Sequence, residues 1–399
     1  MQIHRLAHGL GFPRIALVGG VVRDLLIHEL RAQPLGVVHD FDFVVEGDAL
    51  RLAEALQQAC GLHRVPVLRS HGAFKTVAMD VDGLPFDLAS ARREIYPSPA
   101  ENPVVEMSSL ELDLSRRDFT VNAMALVLQE NAEELSLLDP FSGAQHLANG
   151  EIVFLHGNSV KDDPTRVVRA ARYASRLGFV LRADAHDQIM KTVQDWPWSW
   201  HSSDSPCAAP PALGTRLRME LELLFEKEPW PQALQNLEDW GAFPLLDVGL
   251  NDDAHRLRRL RWARRLGLPL LPALLLGATD PLALAERLQL PKLQQRWLGQ
   301  CAEILIWMES SSSEAPQLAW SPADWAMALE SKGWTVEAVA FAVATAHRFW
   351  RPMLRWCGRW RHLRAAESAQ DLMDQGWTPG PGLGAELRRR RMERLEVAR

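Results

Sequence analysis

Two aspartates one residue apart, Asp40 and Asp42, lead into the β-branched pair Val44-Val45. The run predicts a strand, on which side chains two positions apart share a face, about 7 Å from each other. Such a carboxylate pair could gather two divalent cations about 3.5–4 Å apart. That spacing serves phosphoryl and nucleotidyl transfer, because the attacking and leaving oxygens are stabilised together. Mg²⁺ suits the site, since it takes carboxylate oxygen and keeps several of its waters. Asp87, in Pro85-Phe86-Asp87-Leu88, is a candidate third ligand on a neighbouring strand. Two solvent-facing aspartates at a strand edge would give the same letters, so the pair needs company to mean chemistry.

The company lies upstream and downstream. Leu17-Val18-Gly19-Gly20-Val21-Val22-Arg23-Asp24 reads as strand, double-glycine turn and helix start. Glycine lets a backbone approach a phosphate, helix N-terminal N–H groups favour anions, and Arg23 is placed to pair with triphosphate oxygens. Further on, Asp163 precedes Pro164, a favoured first-turn residue, and Arg166, Arg169 and Arg172 follow at i+3 spacing on the face of Asp163. A solvated, ion-paired helix face would carry the same stripe.

Elements to hold these residues are visible in the first half. Residues 15–18, 41–45, 73–79 and 152–155 are short β-branched or aromatic runs, and 21–30 and 49–59 have helical spacing. From Pro164 onward the pattern is almost wholly helical. All 15 tryptophans lie at Trp196 or later. Residues 196–211, rich in Ser, Pro and Trp, read as an inserted loop or linker, and 310–317 as a second loop. Residues 213–225 predict a helix, and 386–399 an arginine-rich terminal one.

The bulk numbers bound the class. A chain of 399 residues with 47% hydrophobic and 24% charged content is globular and has more than one core. The longest uncharged apolar run, 266–279, holds two prolines and is too short to span a bilayer, so it reads as buried helix. No secretory signal is visible. The four cysteines are scattered with no CxxC pair, which points to reduced thiols in a cytoplasmic protein rather than disulfides or zinc. His39-Asp40 has no further histidines at the spacing a phosphohydrolase metal site needs. The net charge of −6 means that any RNA site is a local patch on an acidic protein. Arg256, Arg258, Arg259 and Arg261, and the terminal Arg388 to Arg391, are candidates to touch phosphates, or are solvated helix faces.

Taken in order, these motifs resemble the class II tRNA nucleotidyltransferases and bacterial poly(A) polymerases. The resemblance begins at Gly19-Gly20-Val21-Val22-Arg23-Asp24 with Asp40-Phe41-Asp42. It continues through Arg116-Arg117-Asp118-Phe119-Thr120-Val121-Asn122-Ala123, then Leu138-Asp139-Pro140-Phe141-Ser142-Gly143, then Asp163-Pro164-Thr165-Arg166 to Tyr173. It is dense over about residues 15 to 180 and loose beyond.

The resemblance implies an α+β fold: a polymerase-β-like nucleotidyltransferase head (1–145), a helical neck carrying the base-reading helix (146–225), and a helical body and tail that binds tRNA (226–399). It implies template-independent addition of AMP, with or without CMP, from ATP and CTP to the 3′ end of tRNA, with pyrophosphate released. Asp40 and Asp42 would bind Mg²⁺, with Asp87 beside them as a third catalytic carboxylate. Gly20, Arg23 and Arg117 would meet the phosphates, and Asp118 and Asn122 would fix the sugar; Asp118 is as readily a helix N-cap. Asp163 with Arg166, Arg169 and Arg172 would read the base. Cytosine and adenine each present an exocyclic amine beside a ring-nitrogen acceptor, which a carboxylate and a guanidinium complement, whereas guanine and uracil present the reverse. The family often has Glu-Asp where this chain has Asp162-Asp163, which leaves the fine nucleotide preference open.

The stretch 89–106 matches the flexible loop that permits A addition and that CC-only members shorten. Residues 42–49 and 91–96 resemble the A-adding members most, with full CCA addition close behind. Poly(A) polymerase, a small-molecule nucleotidyltransferase and a non-catalytic RNA-binding relative are the alternatives. The second lacks the Asp163–Arg172 motif, and the third would not need Asp40, Asp42 and Arg117 intact.

Overall fold

The computed structural model describes residues 2–38, 40–71, 75–129, 135–310, 320–346 and 348–398. His39, residues 73 and 74 of the strand expected at 73–79, and residues 311–317 of the second expected loop lie outside them. The chain divides into two compact units, Met1–Asp204 with Ala208–Leu245, and Ser205–Cys207 with Leu246–Arg399.

The first unit opens with helix α1 (Gln2–Gly9), strand β1 (Ile15–Val18), α2 (Gly20–Arg31), β2 (Phe41–Val45) and α3 (Ala49–Cys60). Strands β3 (Leu68–His71), β4 (Thr76–Val81) and β5 (Leu84–Ser90) follow, then the hairpin β6 (Arg92–Ile95) and β7 (Val104–Met107). After α4 (Leu110–Ser115) come β8 (Ala125–Leu128), β9 (Leu135–Leu138) and α5 (Gly143–Asn149). The sheet runs β3-β4-β5-β2-β1-β8-β9, with β2 and β5 parallel and the other neighbours antiparallel. One face is covered by α3, whose Leu52, Ala53 and Leu56 are buried with Val45, Val77 and Leu88. Asp48 caps α3 by accepting from the N–H groups of Leu50 and Arg51, which fixes the exit from β2. Arg14 pairs with Glu46 after β2 and with Glu111 on α4, and Glu46 also accepts from the Leu110 N–H. The first turn of α4 is thereby tied to the sheet.

Beyond the sheet the unit is helical: α6 (Ser159–Asp162), α7 (Thr165–Leu177), α8 (Ala183–Asp195), α9 (Thr215–Lys227) and α10 (Trp230–Asp239). Two short runs, Glu151–Ile152 and Val180–Leu181, pair in parallel, so the strand expected at 152–155 shrinks to its first residue and one before it. Residues 196–211 hold no helix longer than a single 3-10 turn. Trp198 and Trp200 there are nonetheless buried, and the Trp198 indole donates to the Lys161 carbonyl, so the segment is packed rather than free.

The second unit is helical among the described residues, from Arg256–Arg265 to Pro381–Glu396. The apolar run at 266–279 contains the helix Leu270–Leu275, buried over Leu271 to Leu275 as expected. Its tryptophans explain the composition shift: Trp307 meets Trp320, Trp325 and Trp334 at ring distances of 5.4–6.1 Å. The arginine patch corrects the sequence reading. Arg256 and Arg259 are buried, Arg256 donating to the Leu250 carbonyl and Arg259 pairing with Asp253. Near the end, Arg389, Arg390 and Arg391 pair with Glu386, Glu367 and Glu330. Arg256, Arg259 and Arg391 are thus engaged by the fold, while Arg389 stays more than half exposed. No helix among the described residues is long and apolar enough to cross a membrane.

Candidate active site

The sheet register builds the floor of the site. Asp42 lies opposite Val18 on one side and opposite Asp87 on the other. The double-glycine turn that follows Val18 therefore stands directly over Asp42. A Cβ at Gly19 would sit 2.9 Å from the Asp42 carboxylate oxygen, and the backbone there has φ +76°, so only glycine fits. Asp40 lies one residue ahead of β2 rather than in it, and is exposed. The strand-face argument thus holds for Asp42 alone, while Asp40, on the approach to the strand, lines neither the cleft nor the hollow beside it and acts on Asp42 through its charge. Burial pushes the Asp42 carboxyl up to about 6, the charges of Asp40 and Asp87 add to this, and Arg117 opposes it. Two exposed acids thus crowd the half-buried Asp42 with like charge.

This crowding is the fit test for a cation. Like-charged hard oxygens gathered at a half-buried point suit a divalent ion that keeps its waters and takes substrate phosphates as further ligands. No cluster of three or more His, Cys, Asp or Glu among the described residues could hold a metal ion unaided. Two carboxylates plus phosphate oxygen is the donor set that the geometry allows.

A cleft of about 450 Å³ opens beside the floor, lined by Gly19, Gly20 and Asp42 and walled by arginines. Asp87 lies in an adjoining hollow that shares Asp42, Arg116 and Arg117 with the cleft. Arg116 and Arg117 leave the C-terminal end of α4, where the fully buried Asp113 accepts from Arg116 Nε at 2.9 Å and Arg117 Nη2 at 3.1 Å. Glu94 on β6 takes the other side of Arg116 at 2.9 Å. Among the described residues Arg117 pairs with no second carboxylate, and it lines the cleft.

Asp118 is buried, and its carboxyl accepts from the Phe119 N–H, from Asn122 and from two nitrogens of Arg169. Burial alone would push its carboxyl up, but the Arg169 charge and these hydrogen bonds hold it below the ordinary range. It is therefore not a helix cap: the short turn at Thr120–Asn122 is entered from Phe119 with no side-chain cap. Asn122 spends its Oδ1 on Arg23 Nη1 at 2.9 Å. Arg23 itself is buried, bonded to Asn122 and Asp24, and lies outside the cleft lining. It braces the turn from behind, which differs from the direct phosphate contact expected of it.

Helix α7 forms the far wall and starts where the Asp163-Pro164 pair places it. Asp163 Oδ1 accepts from the Thr165 N–H and hydroxyl, and its Oδ2 is held by Arg216 of α9. Arg166 donates to the carbonyls of Arg116 at 2.9 Å and Ser159 at 3.4 Å. Arg169 joins Asp118 to Glu220, and Arg172 pairs with Glu220 and Glu228. Arg166 and Arg169 line the cleft; Arg172 lies behind it. Asp162 is not part of the lining. Tyr96, after β6, closes the cleft near Asp163, and burial pushes its hydroxyl up to about 12. The stretch expected as a flexible loop carries this side chain on a paired hairpin.

Six lining or supporting residues escaped the sequence reading: Glu94, Tyr96, Asp113, Arg216, Met219 and Glu220. Asp113 stands at i−4 from Arg117 and was within reach of a helix-pair argument. Arg216 and Glu220 meet residues about fifty positions away, a distance at which the letters carry no signal.

Residues 15–153 match the family described as Poly A polymerase head domain. An A-adding tRNA nucleotidyltransferase of Aquifex aeolicus is 40% identical over 181 residues, which is 45% of this chain and 20% of that protein. A CC-adding tRNA nucleotidyltransferase of Deinococcus radiodurans is 38% identical over 283 residues, 69% of this chain and 67% of that protein. This chain thus spans about a fifth of the first relative and two thirds of the second. A solved CCA-adding enzyme in apo form superposes with a TM-score of 0.73 at 24% identity, covering 100% of this chain and 91% of that one.

Proposed function

We infer the reaction from one premise: this chain belongs to the tRNA nucleotidyltransferase family, whose head domain it shares with poly(A) polymerases. It transfers nucleoside monophosphates from ATP, and in the broader reading also from CTP, to the 3′ end of tRNA. The observation that carries this is the half-buried Asp42, flanked by the charges of Asp40 and Asp87, at the floor of an arginine-walled cleft that suits a nucleoside triphosphate.

Asp40 and Asp42, with Asp87 beside them, would hold Mg²⁺, which when bound polarises the phosphate and stabilises charge on the attacking and leaving oxygens. The chain's own residues do the rest. The turn at Gly19-Gly20 offers backbone N–H groups at the start of α2, and Arg117 offers a guanidinium anchored by Asp113, so the triphosphate is held by amides and one anchored cation. Asp118 and Asn122 fix the sugar side and hold Arg169 and Arg23 in place. Asp163 presents an acceptor to the base. The RNA 3′-hydroxyl oxygen attacks the α-phosphorus, the bond to the β-phosphate oxygen breaks, and pyrophosphate leaves. Positioning and electrostatics supply the rate, with no covalent enzyme intermediate.

The two relatives differ in what they add, so nucleotide choice rests on this chain's residues. The full stretch 89–106 argues against a CC-only enzyme, and the likeness of residues 42–49 and 91–96 to A-adding members favours A addition over complete CCA synthesis. The unpaired cysteines accord with a cytoplasmic setting. The test is incubation with labelled ATP or CTP, Mg²⁺ and tRNAs ending before CCA, after C, or after CC. Label from ATP on the CC-ended substrate alone is the expected result. CMP on the shorter substrates would establish full CCA synthesis, and no label on any would refute the function.

A further inference from the structure

His146 lies outside the cleft lining, yet both of its ring nitrogens are engaged. It sits half-buried on α5, with Nδ1 2.9 Å from the Thr120 hydroxyl and Nε2 2.7 Å from Arg182 Nη1. A guanidinium nitrogen carries hydrogens and offers no lone pair. Nε2 must therefore accept, which leaves the ring proton on Nδ1 and makes it the donor to Thr120. The contacts fix one neutral tautomer.

Neither end of this bridge is loose. Arg182 is clamped by both oxygens of Asp184, and its backbone N–H donates to the Ile152 carbonyl. Thr120 is buried, its N–H donates to the Val153 carbonyl, and α5 presses so closely on its own carbonyl that a Cβ at Gly143 would collide with it. Thr120 opens the turn Thr120–Asn122, whose last residue lines the cleft and holds Asp118 and Arg23. Facing the ring are Asp139 from the run before α5, Glu151 from the run after it, and Arg182 with Asp184 from the start of α8. Helix α2, packed along α5, brings Arg31 against Gly150 at the far end, and the turn itself carries no charge. Burial and the Arg182 charge push the imidazole below its ordinary range, while the three carboxylates pull against them.

We propose that His146 is a positioning residue for the sugar side of the nucleotide site, holding the Thr120–Asn122 turn in place only while its ring is neutral. The inference rests on the nucleotidyl-transfer reading and deepens it. A second proton on the ring would sit on Nε2 and face the hydrogens of Arg182, so a bond becomes a contact between like charges. Arg182 is clamped, so the ring must give way, and its bond to Thr120 goes with it. The turn then loses its support from outside the cleft, and Asn122 its aim. Because the fold favours the neutral ring, the support is complete above about pH 6.5 and is lost as the pH falls through the lowered value.

The test compares kcat/KM for AMP transfer to CC-ended tRNA by the unaltered protein and by His146→Gln, from about pH 8 down to about pH 5. Glutamine donates through Nε2 and accepts through Oε1, so it can bridge Thr120 and Arg182 at any pH. The ratio of the variant's kcat/KM to that of the unaltered protein should rise roughly tenfold over that range, the low end for one hydrogen bond to a charged group. Asp42 titrates in both proteins and cancels from the ratio. A merely structural histidine would shift melting and leave the ratio flat, which overturns the proposal. Nitrogen chemical shifts of the His146 ring in the unaltered protein need neither tRNA nor turnover, so they decide the matter even if the variant fails to fold. A proton on Nδ1 and none on Nε2 is expected at about pH 8. A ring protonated on Nε2 there overturns the tautomer and the proposal with it. Failure of the underlying function would show instead as no transfer to tRNA by the unaltered protein at any pH.

Discussion

Asp113→Asn isolates the support beneath the phosphate-binding arginine. Asp113 has no exposed surface and receives Arg116 Nε at 2.9 Å, Arg117 Nη2 at 3.1 Å and the Arg92 N–H at 3.3 Å. The amide keeps the shape but removes the charge and turns an N–H₂ toward a guanidinium. Breaking a buried pair from one side costs about 3–5 kcal/mol. Arg116 keeps Glu94, so the low end applies, about 3 kcal/mol. For a unit of this size that is a fall in Tm of roughly 6–12 °C. Arg117 has no other carboxylate partner among the described residues, so its hold on the triphosphate should weaken as well, by roughly 10- to 150-fold in ATP affinity. Calorimetric melting and ATP titration read the two effects separately, and nucleoside binding should change far less than triphosphate binding. Wild-type ATP affinity in a folded Asp113→Asn protein would refute the claim that Asp113 aims Arg117.

Gly19→Ala should lower stability by about 1–3 kcal/mol and cut transfer sharply, since the new methyl meets Asp42 at 2.9 Å in a backbone region reserved for glycine. Equal melting of the two proteins would count against the close approach. Raised to about 6, the Asp42 carboxyl is protonated below that pH and ionised above it. Mg²⁺ affinity, read by calorimetry, should therefore be full near pH 8 and fall about tenfold per unit below pH 6; a flat profile to pH 5 would contradict the site. Glu220→Gln should loosen Arg169 and Arg172 together, lowering Tm while leaving Mg²⁺ affinity unchanged; a loss of Mg²⁺ binding would show that the wall and floor are not separable.

Local patterns carried the sequence reading furthest. The limits of β1 and β2 follow from short β-branched runs ended by glycine or by a capping aspartate, and both signals act within a few residues. Asp163-Pro164 marks the start of α7 for the same reason. What the letters could not give is which cations are spent. Arg23, Arg166 and Arg172 look as available as Arg117, yet each is engaged by Asn122, by backbone carbonyls or by Glu220. The arginines at 256 and 259 face inward although their neighbours look solvated. Burial of a charge is decided by partners distant in sequence, and Arg216 meets Asp163 only because α9 packs beside α7. The hairpin at Arg92–Ile95 and Val104–Met107 was hidden by its prolines and by charges such as Arg93 and Glu106, which pair across it.

The most direct test of the account is nucleotidyl transfer by Asp42→Asn. That change keeps the size of the side chain, removes its negative charge and leaves the arginine wall untouched. With labelled ATP, Mg²⁺ and CC-ended tRNA, the variant should bind tRNA nearly as the unaltered protein does and transfer no label. Transfer at the unaltered rate would contradict the claim that this acid organises the reaction.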